Sequence, residues 1–206
     1  MSAAKPRICV LISGNGSNLQ AMIDAVEGGQ LNAEIVAVIS NRPGVFGLER
    51  AEKAGIPAHC LDHKDYPVRD EFDAKLQSLI DSVKPDAVVL AGFMRILTAE
   101  FVEHFSGKLL NIHPSLLPKY KGLNTHQRAI DNGDSEHGVS VHFVTPELDG
   151  GPVIIQSRDL AERVQEQERR IYPLVLQWFV AGRLTMKDNK AVLDDHILPP
   201  QGYASE

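Results

Sequence analysis

Cysteine is scarce in this chain: Cys9 and Cys60 are the only two among 206 residues. Two lone thiols in a chain of this length do not make a disulfide framework, which points to a reducing compartment. Basic residues are not in excess either. Lys and Arg number 21 against 27 Asp and Glu, interspersed to a net charge of −6, so the basic face that nucleic acid needs is missing. The start, MSAAKPR, lacks an apolar signal core, and no apolar run is long enough to span a bilayer. A soluble cytoplasmic protein is expected, without nucleic-acid or membrane partners. There is no GxSxG elbow, no HExxH and no Cys/His cluster, so neither a serine hydrolase nor a metal centre is indicated. What remains is ordinary for a globular protein, with 43% hydrophobic and 23% charged residues. The length suits one domain spanning 1–206 that buries about 70% of its unfolded surface.

The first half alternates two kinds of segment. Short apolar runs at Arg7 to Ser13, Glu34 to Ser40, Ala58 to Leu61, Asp86 to Phe93 and Lys108 to His113 read as buried strands. Between them, Ser17 to Val26, Phe46 to Ala54, the stretch carrying Phe72, Leu76, Leu79, Ile80 and Val83, and Thr98 to Phe105 read as helices. This alternation predicts a Rossmann-like α/β fold: an open, twisted, mostly parallel sheet flanked by helices. After His113 the pattern changes. Pro114 to Gly138 is a long loop with helical character only at Gln127 to Asp131. Val139 to Thr145 and Val153 to Gln156 read as further strands, in an antiparallel C-terminal part. A long helix is expected from about Leu160 to Val180, opened by Asp159 and Glu162 in the manner of a capping box. No repeat, linker or low-complexity tract interrupts the chain.

Four motifs carry chemistry. In SGNGSN, Gly14 and Gly16 permit a tight strand–helix turn, and the free N–H groups of the helix start favour a phosphate. It is neither a full GxGxxG nor a P-loop, and a plain turn capped by Ser17 is the competing reading. In NIHPS, Asn111 and His113 lie two apart on a strand, hence on one face, at the carboxyl end where open α/β sheets place their sites. An amide donor beside an imidazole suits acyl transfer. ELDGGP sets Asp149 before two glycines, by itself a turn signal. In the last helix, Leu160, Val164, Ile171, Val175 and Trp178 form a stripe on which Glu168 falls, with Gln165 beside it. An acid on a buried stripe needs a partner or a ligand, and Arg169 is the nearest basic candidate.

The segments LISGNGSNLQAMID, AGFMRIL, LLNIHPSLLPKY and VHFVTPELDGGPVI occur in that order, followed by IYPLV and LPPQGY. Together they closely resemble the monofunctional phosphoribosylglycinamide formyltransferases of purine synthesis over nearly the whole chain. HPSLLP alone would indicate only the wider formyltransferase and hydrolase superfamily. The resemblance implies the formyltransferase fold and formyl transfer from 10-formyltetrahydrofolate, a co-substrate, to glycinamide ribonucleotide, with no permanently bound cofactor and no metal. It implies that Asn111, His113 and Asp149 are catalytic. It assigns Gly16, Ser17, Asn18, Gln165 and Glu168 to the ribonucleotide. To the folate it assigns Arg69, Met94, Arg95, Ile96, Leu97, Asn111, Thr145, Pro146, Glu147, Leu148 and Asp149. A related formyltransferase with another amine acceptor and a non-catalytic folate- or nucleotide-binding module are the alternatives. Between Gln156 and the last helix this chain has a shorter connection, SRDLAE, than those relatives carry.

Overall fold

A computed structural model describes residues 4–159 and 164–204. Its elements run β1 (Arg7–Ile12), α1 (Ser17–Glu27), β2 (Glu34–Ser40), α2 (Phe46–Lys53), β3 (Ala58–Cys60), a single 3-10 turn (His63–Asp65), α3 (Arg69–Ser82), β4 (Ala87–Leu90), α4 (Ala99–His104), β5 (Leu109–His113), α5 (Thr125–Asp131), β6 (His137–Phe143), β7 (Val153–Asp159), α6 (Val164–Val180), β8 (Leu184–Lys187), β9 (Lys190–Leu193), β10 (His196–Ile197) and β11 (Tyr203–Ala204). Eight strands form one sheet in the order β11-β7-β6-β5-β4-β1-β2-β3. From β3 to β5 every pairing is parallel, whereas β6 and β7 turn antiparallel. This is the open, mostly parallel α/β sheet that the alternation of strands and helices predicts.

Side-chain alternation along β1 explains why helices cover both faces. Ile8, Val10 and Ile12 point to a core shared with Leu19, Met22 and Ile23 of α1 and with Ile171 and Val175 of α6. Cys9 and Leu11 point to the opposite core, with Phe72, Leu76 and Ile80 of α3, Phe101 and Val102 of α4, and Phe105 just past it. All five residues from Ile8 to Ile12 are fully buried, as a central parallel strand must be. Burial pushes the Cys9 thiol up to about 12, so it is an inert packing residue. The two cores are unequal. The α1–α2–α6 core continues across β6 and β7 to Leu184 and Leu193 of the small antiparallel sheet β10-β9-β8, while the α3–α4 core rests on β1, β2, β4 and β5 alone. Tyr172, fully buried in α6, donates from its hydroxyl to the carbonyls of Leu90 (2.8 Å) and Leu110 (3.1 Å), tying the helix to β4 and β5.

Several boundaries differ from the sequence expectation. β4 stops at Leu90 rather than Phe93, because Gly92 takes a left-handed conformation (φ 73°) and releases Ala91 to Leu97 as a loop. β6 starts and ends two residues early, and β7 continues to Asp159, taking up the first three residues of the SRDLAE connection. Leu160 and Glu162 lie outside the described residues. The strands of the small sheet are joined by two-residue turns, Asp188-Asn189 and Asp194-Asp195, all four residues left-handed. At the far edge β11 pairs with β7, and Gly202 sits where a Cβ would come 2.6 Å from the Ile154 carbonyl.

Candidate active site

The carboxyl ends of β1, β4 and β5 lie side by side, and short polar contacts join them. The Ser13 hydroxyl, just past β1, accepts from the Met94 N–H (2.8 Å) and donates to Asn41 Oδ1 at the end of β2. Next along the chain, Gly16 is left-handed (φ 77°) and its carbonyl accepts the first helical bond of α1 from Gln20 (2.9 Å). No side chain caps this helix, so the competing Ser17-cap reading does not hold. Among the described residues, the backbone N–H groups of Gly16, Ser17 and Asn18 are left open as donors. Asn18 is buried, with its Oδ1 unpartnered and its Nδ2 donating to Glu168 Oε2 (3.2 Å). Burial raises the Glu168 carboxyl, and the Asn18 bond partly offsets this. The acid on the α6 stripe thus has Asn18, not Arg169, as its hydrogen-bond partner. Gln165, one turn earlier, is exposed, and Gln167 rather than Gln165 takes a bond from Ser157 (3.0 Å).

Asn111 and His113 share the face of β5 that Leu109 occupies. Antiparallel β6 sets His142 opposite Asn111 and Ser140 opposite His113. Asp149 arrives from the β6–β7 loop. Its Oδ2 lies 3.6 Å from His113 Nδ1, its Oδ1 lies 3.8 Å from His142 Nε2, and its side chain is only 8% exposed. The loop reaches this far because it turns sharply: Asp149 is left-handed (φ 48°), and a Cβ on Gly151 would overlap the Phe143 carbonyl. The Gly122 N–H donates to Asp149 Oδ2 (2.8 Å). His113 Nε2 is 2.8 Å from the Tyr120 carbonyl, to which it donates; Tyr120 is itself left-handed (φ 55°).

His142 is the residue that local sequence reading missed. It is fully enclosed, and desolvation pushes its pKa down, so the ring is neutral. Nδ1–H donates to the Phe143 carbonyl (2.8 Å), which leaves Nε2 to accept from the Asn111 amide (3.3 Å). The amide is thereby held with its nitrogen toward the cluster. The signal was cross-strand: once LLNIH pairs antiparallel with VSVHF, every second residue of each meets on one face.

Loops flank this cluster. Met94 and Ile96 are 57% and 62% exposed and Leu148 is 50% exposed, large apolar side chains left open. Between them Arg95 stacks over the Phe72 ring (4.2 Å), and Leu97 packs against the α3–α4 core. The Thr98 N–H donates to Asp73 (2.7 Å), which anchors the end of the loop. Thr145 and Pro146 lead from β6 into the second loop, where Glu147 pairs with Lys121 (2.7 Å). Arg69 opens α3 and is exposed. Among the described residues, neither Arg69 nor Gln165 makes a hydrogen bond or ion pair with the trio. Nor do any three His, Cys, Asp or Glu side chains there group as metal ligands would.

Comparison with known proteins addresses the same residues as a whole. The sequence profile of the family described as Formyl transferase matches residues 6–176. The phosphoribosylglycinamide formyltransferase of Escherichia coli is 56% identical over 97% of this chain and 99% of that protein. The Haemophilus influenzae protein of the same name is 49% identical over 97% and 99%. A solved structure of the phosphoribosylglycinamide formyltransferase from Coxiella burnetii superposes with a TM-score of 0.92 at 52% identity, covering 97% of this chain and 98% of that one. Agreement in sequence and in fold, from end to end of each relative, shows that the chain belongs to the phosphoribosylglycinamide formyltransferase family.

Proposed function

We propose that this chain moves the formyl group of 10-formyltetrahydrofolate to the primary amine of glycinamide ribonucleotide, releasing tetrahydrofolate, as one domain working in the cytoplasm. The observation that carries this reading is the gathering of Asn111, His113 and Asp149 between a helix start with open N–H donors and a loop of exposed apolar side chains. The first suits the ribonucleotide phosphate, with Glu168 beside it for the sugar. The second, Met94 to Leu97 with Thr145 to Asp149, suits the flat folate ring.

The amine lone pair attacks the formyl carbon, and the carbonyl electrons move to oxygen. Asn111, oriented by neutral His142, donates to that oxyanion, an interaction that strengthens as charge develops. His113 supplies a second donor once Nε2 leaves the Tyr120 carbonyl, so displacement of that carbonyl belongs to the reaction cycle. A carboxylate beside the imidazole stabilises positive charge on it. Asp149 takes up the proton that the amine loses and returns it to the donor nitrogen; the oxyanion electrons re-form the carbonyl as the carbon–nitrogen bond to the folate breaks.

Ultraviolet detection of tetrahydrofolate on adding glycinamide ribonucleotide tests this directly. The wild type turns over. Asn111→Ala and Asp149→Asn each lower kcat by about 10²–10³, with KM for both substrates within about threefold. Turnover with another amine but not with the ribonucleotide overturns the reading.

A further inference from the structure

The second helix, α2, has no part in the mechanism above, yet it packs directly against the Gly14–Gly16 turn. The Gly47 N–H donates to the Gly14 carbonyl (3.0 Å). Arg50 Nε donates to the Asn15 carbonyl (2.8 Å), one terminal nitrogen to Asn15 Oδ1 (3.0 Å) and the other to Gln20 Oε1 (3.3 Å). The guanidinium lies over the Phe46 ring at 4.5 Å. No room is left between the two segments: a Cβ on Gly16 would come 2.8 Å from Gly47 Cα, and one on Gly47 would reach 3.0 Å from the Gly14 carbonyl oxygen.

A trans peptide is planar, with its C=O and N–H on opposite sides. A carbonyl held toward α2 therefore turns the next residue's N–H away from it. The Gly14 carbonyl aims the Asn15 N–H, and the Asn15 carbonyl aims the Gly16 N–H. The Gly16 carbonyl, taken by Gln20, does the same for Ser17. Successive N–H groups so directed make an anion-binding concavity. We infer that Arg50 is a positioning residue for acceptor binding: with Gly47 it clamps the turn so that the amides of residues 15–17 face the phosphate. Arg50 also has no carboxylate partner among the described residues, so its charge stands unneutralised behind the turn. This inference rests on the Gly16–Asn18 turn being the phosphate site.

Steady-state kinetics with both substrates, joined to amide NMR, test it on the intact protein. In the wild type, glycinamide ribonucleotide shifts the backbone resonances of residues 15–18. Arg50→Gln raises the acceptor KM about tenfold or more, the worth of one charge-assisted bond, and shrinks those shifts at equal occupancy. Donor KM and kcat stay within about twofold. Arg50→Lys, which keeps the charge but on one nitrogen without the guanidinium fork, falls between Gln and wild type; should the Gln variant not fold, Lys alone must still raise the acceptor KM selectively. Equal rises in both KM values, or an unchanged acceptor KM, overturn the role of Arg50 while leaving the phosphate site intact. Wild-type shifts that leave residues 15–18 untouched overturn the phosphate site itself, and this inference with it.

Discussion

Glu168 sits on the apolar side of α6 and, among the described residues, accepts its hydrogen bond from Asn18. Burial lifts its carboxyl above the ordinary 4.5, so the fold disfavours the ionised form. Its contribution to stability is full below the unfolded value and is lost as pH rises through the raised folded value. Glu168→Gln keeps an acceptor for Asn18 and carries no charge. It should therefore be more stable than wild type near neutrality and show a flatter pH dependence above pH 4.5, read from urea unfolding at about pH 5 and about pH 7.5. The same change should raise the acceptor KM, because a carboxylate binds sugar hydroxyls better than an amide does. Parallel pH profiles for the two proteins would show that Glu168 is not the group responsible. At this scale much was legible in the sequence. The i, i+2 spacing placed Asn111 and His113 on one face, and the stripe singled out Glu168. Illegible were the partners: Asn18 for Glu168, His142 for Asn111 and the Tyr120 carbonyl for His113, since each pairing depends on how distant segments come together.

Among the elements, α6 is held by polar ties at Gln167, Glu168 and Gln177 and, deepest in the core, at Tyr172. Tyr172 follows Glu168 by four residues, one helical turn, so the two lie on the same side of the helix. Its hydroxyl reaches carbonyls of both β4 and β5. Tyr172→Phe should lower stability by about 1–3 kcal/mol, the cost of leaving buried acceptors short of a donor, and should loosen the acceptor site through Glu168. Chemical denaturation measures the first, and an unchanged midpoint would show that the carbonyls are satisfied by their strand partners alone. Element type was readable wherever periodicity ran long, as in α1, α3 and β1. Boundaries were not. The apolar run DAVVLAGF looks like one strand, but Gly92 ends pairing after Leu90 and turns the remainder into a loop with exposed apolar side chains. The small sheet escaped individual reading because its strands are two to four residues long; only the Asp-Asn and Asp-Asp pairs between them signal the turns.

For the whole molecule, alternating strands and helices foretold a parallel sheet with helices on both faces, and that is the architecture. Strand order was not foretold. An antiparallel part was expected after His113, and it is there, but local pattern does not say that β6 lies beside β5, the step that creates the Asn111–His142 face and lets the Asp149 loop return to it. The two helical layers carry different halves of the proposed reaction. α1 and α6, on the larger core, hold the acceptor side, while the loop from Met94 to Leu97 is fastened to α3 and α4, on the smaller one. Less buried apolar area means a lower free energy of local opening. Backbone amides in α3 and α4 should exchange with deuterium faster than those in α1 and the buried half of α6. A folate analogue should slow that exchange selectively, since a ligand that binds only the closed layer adds its own binding energy to the cost of opening it. Uniform protection of both layers, with or without the analogue, would show that the molecule opens as one unit. If they do differ, the two substrates meet surfaces of unequal lifetime: the ribonucleotide a standing one, the folate one that it must itself hold shut.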